Sequence, residues 1–218
     1  MGSDMCIRDS PDTHPFLLNR CFAFDPNTIS RAARAVIDGQ GAGGVLSVIK
    51  HIPGHGLAKV DSHFELPTVG LSHDELSRTD FATFKAVADA PFAMTGHIVF
   101  SDIDPENPAT TSPTMIRLIR EEMAFGGLLI SDDISMKALS GDLGSLSAAS
   151  RKAGCDVVLH CNGLMDELEK VVANSGTFSD IEAIRAQAAL DQRQTTDEVD
   201  IPALRAELEG LERAGLNV

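Results

Sequence analysis

The segment from Lys50 to His63, KHIPGHGLAKVDSH, gathers a strand-end lysine, three histidines (His51, His55 and His63) and Asp61 into 14 residues around a Pro-Gly turn. A loop of this kind can bring cationic, hydrogen-bonding and titratable groups over one spot, and its glycines let backbone come close to a ligand. Asp61 and His63 stand two residues apart, so in extended chain their side chains project to the same side and can share a hydrogen bond. A carboxylate on one imidazole nitrogen fixes the tautomer and raises the pKa, which leaves the other nitrogen to give or take a proton near neutral pH. A D-x-H pair alone is weak, because most such pairs are surface coincidences. The density of histidines around it is what separates this stretch from ordinary loop polarity.

A second cluster lies in LLISDDISMK, residues 128–137, where an apolar run delivers Asp132 and Asp133 at its end. Two adjacent carboxylates are costly to bury unless donors surround them or they act on something. Asp133 reads equally as a helix N-cap or a solvated turn residue, whereas Asp132 reads as a working acid.

The elements that must position these groups are short. Residues 45–49, 92–99, 128–131 and 156–161 are apolar runs that read as buried strands. Between them lie helical patterns. Asp25-Pro26 starts one that carries Ile29, Ala32, Ala33, Val36 and Ile37 and stops at Gly39. Ser72 with Glu75 forms a capping box ahead of Leu76, Phe81, Phe84 and Val87. Ser112-Pro113 opens a third helix, and a fourth spans about Leu146 to Ala153, ending at Gly154. From about residue 178 the chain reads as wholly helical, packing on the exterior or extending away.

Strands that alternate with helices imply βαβ units and a parallel sheet, an α/β fold. Polar residues follow the strands at Lys50-His51, Ser101-Asp102, Asp132-Asp133 and His160. Open doubly wound sheets and (β/α)8 barrels both place sites there, so this pattern leaves the two open.

Composition narrows the partners. The 218 residues carry a formal charge of -14, with a pI near 4.7, which disfavours nucleic acid and anionic membrane surfaces. The apolar runs are far shorter than the roughly 20 residues needed to span a bilayer, and a cytoplasmic protein is expected. Cys6, Cys21, Cys155 and Cys161 show no CxxC pair and no disulfide spacing, so reduced thiols are expected, with no metal and no cofactor.

KHIPGHG with DSH, together with the strand-borne SDDISM, closely resembles the cytoplasmic beta-N-acetylhexosaminidases of glycoside hydrolase family 3. LLNRCFAFDP, GHIVFSDIDP and SMKALSG add to the resemblance, which spans roughly residues 12 to 163. It implies a retaining hydrolase of terminal beta-linked N-acetylglucosamine, acting on peptidoglycan fragments (muropeptides) or chitobiose-like sugars. In that reading Asp132 is the nucleophile, His63 the general acid/base and Asp61 its partner, while Arg20, Lys50 and His51 hold the sugar hydroxyls and the N-acetyl group.

The resemblance also implies that residues 12–177 are the C-terminal part of a (β/α)8 TIM barrel whose first strands are missing, entered near the end of the fourth strand. Residues 1–11 then read as a non-native start and residues 178–218 as a helical segment. Exposed barrel edges would favour self-association. Three other readings stand beside this one. They are a metal-dependent hydrolase with His51, His55, His63, His97 and Asp132 around Zn²⁺, a beta-glucosidase of the same family, and a half-barrel that binds sugar or self-associates without catalysis.

Overall fold

A computed structural model describes residues 21–58, 60, 64–196 and 199–214. Its centre is a four-stranded parallel sheet of β1 (Val48–Ile52), β3 (Phe92–Thr95), β5 (Leu128–Asp133) and β6 (Val157–Leu159). Each strand joins the sheet next to its predecessor, so the order never reverses. A doubly wound sheet reverses at a switch point, whereas a barrel is built by this one-way walk. The fold is therefore α/β with the architecture of a (β/α)8 barrel, of which the described residues supply four consecutive barrel strands.

Local signals explain most helix starts. Helix α1 (Pro26–Ala42) begins at Asp25, whose carboxylate accepts the Thr28 N–H at 2.9 Å. It runs past Gly39 to a turn at Gly43 and Gly44. That longer helix pushes β1 three residues beyond its expected start and leaves Val45 in the connection, 56% exposed.

The Ser72 capping box is present in full, but the helix it opens, α2 (His73–Arg78), breaks at Thr79 before α3 (Asp80–Lys85). The Thr79 hydroxyl donates to the Glu75 carbonyl at 2.7 Å, so a side chain takes over an acceptor of the last turn. Helix α4 (Pro113–Glu121) is capped by Ser112. Helix α5 (Leu143–Ala153) is capped by Asp142 and closed by Gly154 at φ 116°. Three further helices follow, α6 (Met165–Ser175), α7 (Asp180–Asp191) and α8 (Ile201–Arg213); the first was not legible in the sequence.

The expected strand over residues 92–99 is two strands. β3 ends at Thr95, the Gly96 N–H bonds to the Ile52 carbonyl, and the Ile98 N–H bonds to the Gly96 carbonyl in a tight turn. The chain then re-enters as β4 (Val99–Phe100), paired in parallel with β2 (Thr68–Val69) in a separate small sheet. A side chain at Gly96 would press on His51 Cβ at 3.2 Å and Ile98 Cδ1 at 3.0 Å, so glycine lets this kink close on β1. The core beneath is continuous and includes Ile29, Ile49, Leu76, Phe84, Ile98, Phe100, Met115, Ile119, Phe125 and Leu129.

Candidate active site

The carboxyl ends of β1, β3 and β5 converge on His51, His97 and Asp132, each less than a tenth exposed. Two of these residues sit at irregularities in the ladder. Between β1 and β3 the register runs Lys50 to Met94 and then Ile52 to Thr95, which makes His51 the extra residue of a bulge. Between β5 and β6 it runs Ile130 to Val157 and then Asp133 to Leu159, leaving one extra residue at Ser131-Asp132. Bulges bend a strand and re-aim a side chain, so strand alternation alone does not determine where these two point. Ser131 repairs the second bulge by accepting the Leu159 N–H on its hydroxyl at 2.9 Å.

His51 Nε2 lies 3.5 Å from Asp132 Oδ2, with both side chains nearly buried. The other carboxylate oxygen, Oδ1, accepts the Asp133 N–H at 2.9 Å. His55 packs edge-on against His51 with ring centroids 5.4 Å apart and is itself 2% exposed. The Pro53-Gly54 turn carries His55 inward. A side chain at Gly54 would meet Asp80 Cβ at 2.7 Å, so α3 seats this loop directly on its glycine.

Asp133 has a different surrounding. Its carboxylate accepts the Ser135 N–H at 3.0 Å, the Ser135 hydroxyl at 2.7 Å and the Cys161 N–H at 3.2 Å. It therefore ties the β5 turn to the end of β6 and is more enclosed than the solvated turn residue the sequence suggested. His160 follows β6 with Nε2 3.0 Å from Glu167 of α6. The adjacent Cys161 thiol titrates high, raised by burial and then by the carboxylates of Asp133 and Asp132. Cys155, fully buried, is pushed up to about 12, first by burial and then by Asp156, and is an uncharged core residue at neutral pH.

Of the residues singled out in the sequence, the structure brings His51 and Asp132 together and places half-buried Lys50 immediately before His51 in β1. Arg20, Asp61 and His63 lie outside the described residues. Reading the sequence missed Thr95 and Thr110 beneath Asp132 and gave His97 only a metal role. Both His97 nitrogens are engaged, Nδ1 with the Thr110 hydroxyl at 2.8 Å and Nε2 with the Asp133 carbonyl at 2.9 Å. Among the described residues no three His, Cys, Asp or Glu side chains are grouped to hold a metal. The signal that could have exposed His97 is its place directly after a glycine inside an apolar run.

A parallel β/α sheet grown in chain order, with a near-buried carboxylate and imidazole at its carboxyl ends, defines the class: an α/β barrel protein with its site on the strand-end face. The sequence profile described as "Glycosyl hydrolase family 3 N terminal domain" matches residues 8–192. The chain belongs to glycosyl hydrolase family 3. It is 37% identical over 156 residues to a beta-hexosaminidase of Neisseria gonorrhoeae, covering 69% of this chain and 43% of that protein. It is 32% identical over 184 residues to a beta-hexosaminidase of Methylococcus capsulatus, covering 80% and 55%.

Among solved structures, NagZ from Neisseria gonorrhoeae in complex with N-trifluoroacetyl-D-glucosamine superposes with a TM-score of 0.74 at 29% identity, over 95% of this chain and 60% of the other. A family 3 beta-N-acetylglucosaminidase from Paenibacillus shares the fold with a TM-score of 0.81 at 24% identity, over 92% and 42%. The chain spans about half the length of the curated relatives it matches.

Proposed function

We propose that the site is that of a retaining glycoside hydrolase that removes terminal beta-linked N-acetylglucosamine, with peptidoglycan fragments as substrate and cytoplasmic wall recycling as its setting. The observation that carries this reading is the placement of Asp132, a carboxylate at a bulged strand end with one oxygen on a backbone N–H and the other facing His51. The relatives named beta-hexosaminidase and the N-trifluoroacetyl-D-glucosamine complex supply the substrate class.

In this mechanism Asp132 attacks the anomeric carbon as the aglycone oxygen leaves with a proton from His63. Water, deprotonated by the same imidazole, then releases the sugar with net retention. Asp61 holds the His63 tautomer. Lys50, His51 and Arg20 bind the hydroxyls and the N-acetyl group, and the nearness of His51 to Asp132 fits a group that orients sugar at the reacting carbon.

The test is hydrolysis of a chromogenic N-acetylglucosaminide together with intact-mass detection of a glycosyl adduct formed from an activated fluoro-sugar. We expect weak or no turnover from this chain and an adduct on Asp132, with neither in Asp132→Ala. Equal turnover in wild type and Asp132→Ala would overturn the assignment.

The reading of a half-barrel that self-associates without turnover is favoured by one observation. Ile201, Leu204, Leu208 and Leu211 of α8 repeat at spacings of three and four, and each is 47–62% exposed. Size-exclusion chromatography and calorimetry with N-acetylglucosamine separate the two readings.

A further inference from the structure

The β3–β5 ladder ends at Met94 and Ile130. Just beyond it, the Asp132 N–H and the Asp133 carbonyl are met by side chains. The Asp132 N–H donates to Thr95 Oγ1 at 3.3 Å, and the Asp133 carbonyl accepts from His97 Nε2 at 2.9 Å. Thr110 Oγ1 joins the two, 2.8 Å from Thr95 Oγ1 and 2.8 Å from His97 Nδ1. Thr95, His97 and Thr110 are all wholly buried.

The direction of every hydrogen bond follows from chemistry. A carbonyl oxygen only accepts, so His97 Nε2 carries the hydrogen. His97 titrates below its ordinary range, because burial outweighs the carboxylates of Asp132 and Asp133 and the Asp133 carbonyl. The ring is therefore neutral, and Nδ1 is an acceptor. Thr110 must then donate to Nδ1, even though the Gly96 carbonyl lies 3.2 Å from the same hydroxyl. Thr95 in turn donates to Thr110 and keeps a lone pair for the Asp132 N–H.

We propose that His97 is a positioning residue for Asp132, acting through this one-way chain of Thr110 and Thr95 to grip the Asp132–Asp133 segment from both sides. The inference rests on the reading of Asp132 as nucleophile. Its physical basis is that the peptide between the two aspartates supplies the N–H that holds Asp132 Oδ1 at 2.9 Å. Fixing the Asp132 N–H at one end and the Asp133 carbonyl at the other fixes that donor, and with it the carboxylate. An apolar filler would fit the volume at lower desolvation cost, but it would leave both backbone groups unmet.

The experiment uses the whole chain, its Thr110→Val and Thr110→Ser variants, and three readouts. Long-range ¹H–¹⁵N correlation spectra between pH 5 and pH 8 should show His97 neutral and protonated on Nε2 throughout the wild type. An Nδ1–H tautomer, or titration in that window, would overturn the proposal. Amide exchange at Asp132 should accelerate at least about tenfold in Thr110→Val, with Ile49 unchanged, and return to the wild-type rate in Thr110→Ser. Equal exchange in all three proteins overturns it.

Turnover of the chromogenic N-acetylglucosaminide should fall about ten- to a hundredfold in kcat for Thr110→Val, with KM held within about twofold, and recover in Thr110→Ser. A loss confined to KM, or no recovery with serine, counts against positioning. The absence of both turnover and an adduct on Asp132 in wild type sinks the proposed function, and the two spectral readouts then decide this inference alone. If Thr110→Val does not fold, the wild-type tautomer by itself supports or overturns the proposal.

Discussion

At the amino end of the sheet the buried carboxylate of Asp156 is saturated with donors, taking Arg185 at 2.8 Å on one oxygen and Arg120 at 2.6 Å plus the Leu129 N–H at 2.7 Å on the other. At the carboxyl end Asp132, also buried, has among the described residues a single backbone N–H on one oxygen and a histidine at 3.5 Å from the other. The Arg120 guanidinium also reaches the Phe125 and Gly127 carbonyls, so the lower rim is stitched to its neighbours. Arg151 extends this stitching through the Ser175 and Cys155 carbonyls and the Glu182 carboxylate. One end thus uses its charges to hold helices to strands, while the other leaves Asp132 with fewer donors, as its proposed role as nucleophile requires. A carboxylate already covered by two guanidiniums is a poor nucleophile, and one held by a single amide is a better one.

The sharpest way to break this contrast is to remove each carboxylate in turn. Asp132→Ala should lower kcat by at least about 10³-fold, about 4 kcal/mol in barrier, while the urea midpoint stays constant or rises. A large stability loss would show that the two ends do not differ. Asp156→Ala should do the reverse. It strands Arg120 and Arg185 partly buried beside the Leu129 N–H, and the urea-derived stability should drop by about 3–5 kcal/mol.

A smaller effect is expected at Gly154, which closes α5 at φ 116° and faces Ile116, where an added Cβ would stand 2.8 Å from Cγ2. Gly154→Ala should cost about 1–3 kcal/mol in the same assay without moving KM.

The least effect belongs to Glu182 of α7. Burial pushes its carboxyl up, but hydrogen bonds from Arg151 and Ser179 outweigh this and hold it at about 2, below its ordinary 4.5. A depressed carboxyl stabilises above its unfolded pKa and loses that contribution as pH falls towards the folded value. Thermal midpoints should therefore decline from about pH 4.5 down to pH 2, and Glu182→Gln should flatten that slope. An unchanged slope would detach α7 from the lower-rim network.

Much of the chain's local structure was readable because its causes are local. Asp25-Pro26, Ser72 with Glu75, Ser112-Pro113 and Gly154 act within one helical turn, and each marks an observed helix end. Strand existence was equally legible from apolar runs, although β1 slid by three residues and the run over 92–99 divided at Gly96. The slide follows from α1 running on to Ala42, and the division depends on what neighbouring segments offer, the Ile52 carbonyl for Gly96 and the Pro67 carbonyl for Val99. No window of sequence contains those partners.

By itself the sequence determined the α/β class, the residue types at the strand ends and the family resemblance, since patterning and motifs are properties of the chain order. Tertiary structure alone decided that His51 and Asp132 both stand at bulges, and that His97, Thr110 and Thr95 close a circuit beneath the acid. A bulge is a mismatch in count between two strands, and a hydrogen-bond circuit needs partners from three separate segments. Both come into being only when the strands are laid side by side.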